Sequence, residues 1–222
     1  MADTHFPVTD KFLRKMKTVG VSTIARYYDW PEQQTLPNKL ITPGEAKQIR
    51  SYGFNILTVF QHNNGYGRTF KNWKWRGPKD ATVALSLTKT IDQPKGTTIY
   101  FGVDSNMMHP RGKAGSCGNG KDTRCNEEVI SYFSEVNKTF NGSGYNVGVY
   151  GSGLTCKTLK SRGLVKHCWI SQSTGHYGTK AQLKSGEYDI HQLKWDKNGV
   201  CAGRWLNFSR RQDNVVNYGQ FK

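Results

Sequence analysis

The chain has 222 residues, of which 36% are hydrophobic and 12% aromatic, and this length and composition suit one folded domain over residues 1–222. No apolar run reaches the length of a membrane-spanning helix, which argues against integral association with a membrane. Lysine and arginine number 32 against 16 acidic residues, and the formal net charge of +16 favours polyanionic partners: nucleic acid, anionic membrane surfaces or cell-wall polymers.

Strand-like and helix-like segments alternate along the chain. In chain order they are a strand at 19–30, a helix at 42–53, a strand at 54–62, a helix at 77–91, a strand at 96–104, a helix at 126–140, a strand at 145–153, a short helix at 156–163, and strands at 167–173 and 188–195. In the first helix, Thr42 is a suitable N-cap and Pro43 occupies the first helical position. Glu45 stands at the capping-box position, and Gly53 ends the helix.

Repeated strand–helix–strand units predict parallel strands joined by right-handed crossovers. With the extreme N-terminus and a last segment near 204–216, about eight strands are available, the number in a (β/α) barrel. We therefore predict an irregular (β/α)8 TIM-like barrel of the α/β class rather than an open doubly wound sheet. A dinucleotide-binding fold is disfavoured because no G-x-G-x-x-G motif follows an early strand.

The five cysteines lack the spacing of a zinc site. Cys117 and Cys125 enclose a short glycine-containing segment and are predicted to form a disulfide. Cys156, Cys168 and Cys201 would then supply a second disulfide and one free thiol, although five reduced thiols are the alternative. Disulfides would place the protein in an oxidising compartment. Yet residues 1–12 lack the apolar region of a secretory signal peptide, so a processed start or another export route is expected.

In a barrel of this kind, chemistry is located at the carboxyl ends of the strands. Polar and aromatic residues stand at these predicted ends: Asp3, Tyr28, Asp29, Gln61, Asp104, Tyr150, Trp169, Gln172, Gln192 and, in a late segment, Asp213. Each of them alone is a common loop residue. Together they predict a carbohydrate cleft, because aromatic faces stack on sugar rings while amides and carboxylates bind hydroxyl groups.

Three segments in this order carry a family resemblance: "ITPGEAKQIRSYGFNILTVFQ" (41–61), "IYFGVD" (99–104) and "GVYGSG" (148–153). The chain resembles the glycoside-hydrolase-like domains related to family-25 lysozymes over roughly residues 1–217. The resemblance implies a (β/α) barrel that cleaves the β-1,4 bond between N-acetylmuramic acid and N-acetylglucosamine in peptidoglycan. It also implies that Asp104, Asp3 and Asp213 match acids at the ends of the fourth, first and last strands. Family-25 lysozymes carry Asp-x-Glu on the fourth strand with the glutamate as proton donor, whereas this chain has Asp104-Ser105-Asn106.

Glycoside hydrolysis needs one protonated and one ionised carboxyl group in most families. Asp104 is our candidate acid, because burial at a strand end raises the pKa of a carboxyl group. Asp3 is the candidate base or electrostatic stabiliser, and Asn106 would orient the substrate acetamido group or a water. Attack by the substrate's own acetamide is an alternative route. Glu127 and Glu128 are alternative acids, although acids at the start of a helix commonly just complement its dipole. No cofactor or metal site is predicted.

The predicted function is that of a peptidoglycan muramidase, either a phage lysin or an antibacterial effector delivered to the cell wall or periplasm without a classical signal peptide. Its predicted partners are peptidoglycan glycan strands and an immunity or inhibitor protein, and a monomer without nucleic acid is expected. The first alternative is a non-catalytic glycan-binding barrel, which the Asp-Ser-Asn departure supports. A nucleic-acid binder is the second, and it is supported by net charge alone.

Overall fold

The computed structural model describes residues 1–63, 69–110, 124–193 and 206–222, and its central element is a closed barrel of eight strands. The strands are β1 (Ala2–Asp3), β2 (Thr23–Tyr28), β3 (Asn55–Phe60), β4 (Thr98–Gly102), β5 (Asn146–Gly151), β6 (His167–Ile170), β7 (Ile190–Gln192) and β8 (Asn207–Arg211). The described α-helices are α1 (Asp10–Thr18), α2 (Pro43–Ser51), α3 (Trp73–Thr90), α4 (Arg124–Phe140), α5 (Gly153–Ser161) and α6 (Thr179–Ser185). The predicted irregular α/β barrel is confirmed.

The last strand departs from the expected parallel arrangement. The pairs from β1 to β7 are parallel, but β8 is antiparallel to both β7 and β1. Gln192 at the end of β7 pairs with Ser209, and Asn207 at the start of β8 pairs with Asp3. The chain thus leaves β7 and enters β8 at the same end of the barrel, so no helical crossover has to return it to the opposite end. We call this end, where β1 to β7 finish, the carboxyl mouth.

The helix boundaries follow largely from local capping, and three features differ from prediction. Thr42 caps α2 by accepting a hydrogen bond from the Glu45 backbone N–H at 3.2 Å, as predicted. The Glu45 side chain does not complete the capping box, because it pairs with buried Arg26 instead. Helix α3 begins at Trp73 and continues through Pro78, whereas the sequence predicted a start at residue 77. Helix α6 was not predicted; it is short and begins and ends at glycines, so it carries little periodic signal.

Two apolar layers hold the barrel together. The larger one lies between the outside of the strands and the helices, with Ile56, Phe101 and Phe133 among its fully buried members. The smaller one fills the inside of the barrel and consists of Ala25, Leu57, Val59, Tyr100, Trp169, Ile190 and Tyr218. Alternate residues of each strand contribute to the two layers, because successive side chains on a strand point to opposite faces.

The C-terminal segment covers the other end of the barrel, which we call the amino mouth. The Tyr100 hydroxyl donates a hydrogen bond to the Tyr218 carbonyl at 2.6 Å, and the Thr98 backbone N–H donates to the Gly219 carbonyl at 3.1 Å. Gly219 has φ of 87°, and a Cβ at this position would overlap the Thr98 side chain, so only glycine fits. The C-terminal segment therefore packs against β4 at the amino mouth, and beside it lies a depression of about 500 Å³ lined in part by Arg210, Asp213 and Tyr218.

One disulfide lies within the described residues. Cys156 of α5 and Cys168 of β6 are bonded, with their Cα atoms 5.6 Å apart. This pair was one of the options left open by the sequence. Cys125 is buried, but Cys117, its predicted partner, and Cys201 lie outside the described residues, so the predicted Cys117–Cys125 pair stays a prediction. None of the described helices combines the length and apolarity that a membrane crossing requires.

Candidate active site

A cavity of about 200 Å³ opens at the carboxyl mouth. Strands β2 to β7 contribute to its wall at their last residues or just beyond them, and the antiparallel β8 contributes its first residue. The lining residues are Tyr27, Val59, Gln61, Gly102, Asp104, Tyr150, Trp169, Gln172, Gln192 and Asn207. Six of the predicted site residues therefore meet in one place: Gln61, Asp104, Tyr150, Trp169, Gln172 and Gln192.

Asp104 follows β4 and presents its carboxyl group at the exposed surface of this cavity. The Gln61 side-chain amide donates a hydrogen bond to its Oδ2 at 3.2 Å. Desolvation by the surrounding protein raises the pKa of Asp104, while the Gln61 hydrogen bond and the charges of Lys39 and His176 act in the opposite direction. Asp104 is thus accessible to a ligand and still holds its proton to higher pH than a freely solvated aspartate.

Asp3, at the end of β1, lies beside the cavity and is only 1% exposed. Its Oδ2 accepts a hydrogen bond from the Asn207 side chain at 2.9 Å, and its Oδ1 has no hydrogen-bond partner among the described residues. Burial raises the pKa of Asp3 to about 7, against the opposing effects of Asn207 and Gln192. The negative charge of Asp104 makes a smaller contribution to this rise.

The raised pKa of Asp3 has a measurable effect on stability. The folded state keeps a proton on Asp3 up to about pH 7, whereas the unfolded chain loses it near the ordinary value of 3.8. Between these values the folded state binds more protons, so the free energy of unfolding falls as pH rises, by on the order of 1 kcal/mol per pH unit. We expect Asp3→Asn to remove this contribution, so its stability relative to wild type should increase from pH 4 to pH 7 in urea denaturation. A difference between the two proteins that does not change with pH would contradict a buried, protonated Asp3.

Aromatic rings and an amide form the floor of the cavity. The Tyr150 hydroxyl donates a hydrogen bond to Gln192 Oε1 at 2.8 Å, and the Tyr150 and Trp169 ring centroids are 5.0 Å apart at 73°. The Trp169 indole N–H donates to Ser209 Oγ at 3.2 Å. These contacts fix the orientation of the side chains, so the cavity presents preformed polar and aromatic groups to a ligand.

A buried lysine lies behind the cavity wall. The Lys39 ammonium donates to the Gln61 carbonyl at 2.7 Å and to Thr35 Oγ1 at 3.1 Å, and it lies 5.0 Å from the centre of the Tyr27 ring. Burial lowers the pKa of Lys39 to about 8, while Asp29 and Asp104 act to raise it. Below that pH, Lys39 is a cation whose field favours the ionised form of Asp104.

Asn106, two residues after Asp104, is engaged with the protein itself. Its Oδ1 accepts a hydrogen bond from the Tyr177 backbone N–H at 2.9 Å. This contact attaches the segment after β6, which includes His176, to the segment after β4. Because the charge of His176 lowers the pKa of Asp104, Asn106 helps to set the electrostatic environment of that carboxyl group.

The structure does not bring three other predicted residues to the cavity. Tyr28 points to the outer layer, where its hydroxyl donates to Gln93 Oε1 at 2.8 Å. Asp29 is fully buried, and its two oxygens accept hydrogen bonds from Trp30, Thr35 and His62. Asp213 follows β8 near the amino mouth, where it pairs with Arg210 at 3.1 Å. Glu127 and Glu128, the alternative acids, lie at the start of α4, outside the cavity wall.

Three residues of the site were missed by sequence reasoning. Tyr27 rather than Tyr28 lines the cavity, and strand alternation carried this signal, because Ala25 and Tyr27 share the inner face of β2. Lys39 lies between elements, and Asn207 begins the antiparallel strand; neither belongs to a motif that would have indicated its role.

In the part of the chain that the structure describes, no cluster of three or more His, Cys, Asp or Glu side chains is placed to hold a metal ion.

Comparison with known proteins identifies the family. Residues 14–210 match the model of the family described as "Rv2525c-like, glycoside hydrolase-like domain". The chain belongs to this family. Among curated proteins, it is 29% identical over 180 residues to the uncharacterized protein FadG of Bacillus subtilis strain 168, covering 79% of this chain and 28% of FadG. It is 27% identical over 186 residues to YbfG of the same strain, covering 79% of this chain and 23% of YbfG. The chain thus spans about a quarter of the length of these relatives.

Two solved structures share the fold of this chain. The Tat-secreted protein Rv2525c of Mycobacterium tuberculosis, crystallised in complex with L-tartrate, matches with a TM-score of 0.75 and 18% identity, covering 100% of this chain and 98% of that one. An uncharacterized protein of B. stearothermophilus matches with a TM-score of 0.60 and 17% identity, covering 95% of each chain. At this level of identity the comparison shows a common barrel. The chemistry of the cavity depends on the residues of this chain.

Proposed function

We propose that the protein hydrolyses the glycan backbone of bacterial peptidoglycan at the carboxyl-mouth cavity, as a lysozyme-like glycosidase. The observation that carries this proposal is the placement of two carboxyl groups at one mouth: Asp104 is exposed in the cavity wall, and Asp3 is buried beside it and bonded to the lining residue Asn207. Burial raises the pKa of both groups. Glycosidic bonds are cleaved by carboxyl groups whose environments hold protons at the working pH. The resemblance to family-25 lysozymes supports a role for the Asp104 carboxyl group, while the proton donor of those enzymes is replaced here by Asn106.

Asp104 is the proposed catalytic acid, because it is the member of the pair that faces the cavity. Burial raises the pKa of Asp104, which favours the protonated form that donates a proton to the leaving oxygen as the glycosidic bond breaks. Asp3 is a positioning residue, since it is buried and contacts the cavity through Asn207. The substrate's own acetamide oxygen forms the bond to the anomeric carbon as the bond to the leaving oxygen breaks, and this step needs no second carboxylate in contact with the substrate. A water then replaces the acetamide oxygen at that carbon and gives its proton to Asp104, which returns the acid to its starting form.

The cavity wall suits an amino sugar. Tyr27 and Tyr150 offer aromatic surface, and the amides of Gln61, Gln172 and Gln192 offer donors and acceptors for hydroxyl and acetamido groups. The net charge of +16 would concentrate the protein on anionic wall polymers. The Cys156–Cys168 disulfide favours an oxidising compartment, so we propose that the protein acts at the cell wall or in the periplasm. An inhibitor protein and a monomeric state remain part of this proposal.

The test is digestion of purified peptidoglycan followed by mass spectrometry of the released fragments. We expect soluble fragments that end in reducing N-acetylmuramic acid, the product of a muramidase. Fragments with a reducing N-acetylglucosamine would assign the other glycosidic bond to the same cavity. Release of peptides without new reducing ends, or no release at all, would contradict the proposed hydrolysis.

One observation favours a second candidate function, a barrel that binds glycan without cleaving it. The glutamate that serves as proton donor in family-25 lysozymes is replaced by Asn106, and its side-chain oxygen is occupied by the Tyr177 N–H. An amide cannot act as a carboxylic acid. For a pure binding protein, wild type and Asp104→Asn would both bind peptidoglycan and neither would release sugar, whereas the hydrolase loses release only in the variant.

A further inference from the structure

An exposed tryptophan surrounded by lysines stands at the start of α3, separate from the cavity wall. Trp75 is 56% exposed, and with Lys71, Asn72, Trp73 and Lys74 it lines a second depression of about 400 Å³. Helix α3 follows the end of β3 in the chain, so its first turn lies on the side of the barrel where the carboxyl mouth opens. We call these residues, together with Lys79, the α3 surface.

Trp75 is held in place by a buried support rather than standing free. Its ring packs edge-on against Trp30, with centroids 5.6 Å apart at 90°. Trp30 is 5% exposed, its indole N–H donates to Asp80 at 2.9 Å, and its ring stacks on His62 with centroids 3.8 Å apart. Trp75 is the one aromatic residue among the exposed large apolar side chains of the described residues. A side chain held in this way loses little conformational entropy when a ligand packs on it.

The charge around this ring has one sign. Lys79 Nζ lies 3.8 Å from the Trp30 ring centroid and 5.1 Å from that of Trp75, and Lys74 Nζ lies 5.5 Å from that of Trp73. The segment 71–79 contains lysines and an arginine but no acidic residue. Arg76 is neutralised by Asp80 at 3.0 Å, whereas Lys71 and Lys74 are exposed. The surface therefore offers a flat aromatic face next to cations, which complements a ligand with a ring and negative groups.

We propose that the α3 surface is a binding site for an anionic glycan strand, in which a pyranose ring lies on Trp75 and carboxylate or phosphate groups of the strand face Lys71, Lys74 and Lys79. The choice of a glycan rests on the proposed function, since the cavity at the same side of the barrel suits an amino sugar. The binding itself does not require that the cavity hydrolyse its ligand. The site would hold the protein on the polymer while the cavity engages one bond of it.

The experiment measures binding of the full chain to insoluble peptidoglycan that retains its anionic wall polymers, by co-sedimentation at several salt concentrations. We expect Trp75→Ala to raise the apparent Kd at least about fivefold, as expected when a central aromatic contact is removed. The Lys71→Gln/Lys74→Gln double variant should also bind more weakly and show a shallower dependence on salt. The matched controls are Val216→Ala, which removes another exposed apolar side chain, and Lys15→Gln/Lys17→Gln, which removes two exposed lysines of α1. Both should bind as wild type does.

Activity is followed separately so that the two proposals can fail independently. Trp75→Ala should still cleave short soluble glycan fragments, and Asp104→Asn should still bind the wall. Wall binding that depends on Trp75, in a protein that cleaves nothing, would support this inference and refute the proposed hydrolysis. Equal wall binding by wild type and Trp75→Ala would overturn the inference. It would also be overturned if single-stranded DNA bound with the same dependence on Trp75 and displaced the protein from the wall.

Discussion

Replacing Asp104 with asparagine is expected to lower the rate of peptidoglycan cleavage by about 10²- to 10⁴-fold, the usual contribution of a general acid. The substitution keeps the size and shape of the side chain but removes the proton that would be donated to the leaving oxygen. Asp104 is exposed, and its one hydrogen bond is accepted from the Gln61 amide. The fold should therefore tolerate the change, and the loss should appear in kcat rather than in the affinity for the wall. Release of reducing sugar from purified peptidoglycan measures the rate.

The chain provides a matched control for this variant. Asp213 also resembled a lysozyme acid in the sequence, but it lies near the amino mouth in an exposed pair with Arg210. Asp213→Asn should keep full activity, because this carboxyl group cannot reach a substrate in the cavity. Urea denaturation of all three proteins checks that they remain folded. If Asp104→Asn cleaves as fast as wild type, Asp104 is not the acid; if only Asp213→Asn is inactive, the site has been assigned to the wrong mouth.

The largest loss of stability is expected from Arg26→Met, at about 3–5 kcal/mol, because it leaves a buried carboxylate without its partner. Arg26 is fully buried and binds Glu45 through two parallel hydrogen bonds, at 2.6 and 3.0 Å. Arg26 also donates to the Thr4 carbonyl at 2.7 Å, and Glu45 accepts from the Val8 backbone N–H at 2.9 Å. The pair thus joins β2 and α2 to the segment directly after Asp3. The variant should therefore disturb the position of Asp3 in addition to lowering the free energy of unfolding.

Two further variants separate the cost of an unpaired charge from the loss of packing. The double variant Arg26→Met/Glu45→Leu removes both charges and should recover part of the lost free energy of unfolding, since the buried carboxylate is gone. Arg210→Ala breaks a pair whose side chains are 70% and 86% exposed, and it should change stability by less than about 1 kcal/mol. Urea denaturation at pH 7 measures the free energy of unfolding of wild type and of the three variants. A loss for Arg26→Met as small as that for Arg210→Ala would show that the buried pair does not support the fold.

Much of the fold could be predicted because it depends on local signals. The α2 helix starts where Thr42 and Pro43 predict. The six strands predicted between residues 19 and 195 all occur, and each is shorter than the predicted range. The direction of β8 could not be predicted, because strand direction depends on which end of the barrel the chain has reached. The predicted start of α3 at residue 77 lies after the observed start at Trp73, because Gly77 and Pro78 suggest a helix boundary. In the structure, Trp73 packs on the outer apolar layer and extends the helix.

The site was predicted in outline, and its details differ for identifiable reasons. Asp104, Gln61, Tyr150, Trp169, Gln172 and Gln192 share the position at a strand end that brings them to one mouth. Tyr28 was chosen in place of Tyr27 because two adjacent tyrosines cannot be told apart until one face of the strand is known. Asp29 has the same residue type as Asp104, but its hydrogen bonds within the protein leave neither oxygen free for a ligand.

By itself, the sequence determined the order of the strands and of most helices, the barrel, and the carboxyl group that follows β4, because hydrophobic spacing, capping residues and strand ends are local properties of the chain. Only the tertiary structure decided that Asp3 is buried with a raised pKa, that Lys39 lies behind Gln61, and that Asp213 lies away from both. The physical reason is that a pKa depends on burial and on nearby charges. Both of these arise when residues far apart in the chain are brought together by closure of the barrel.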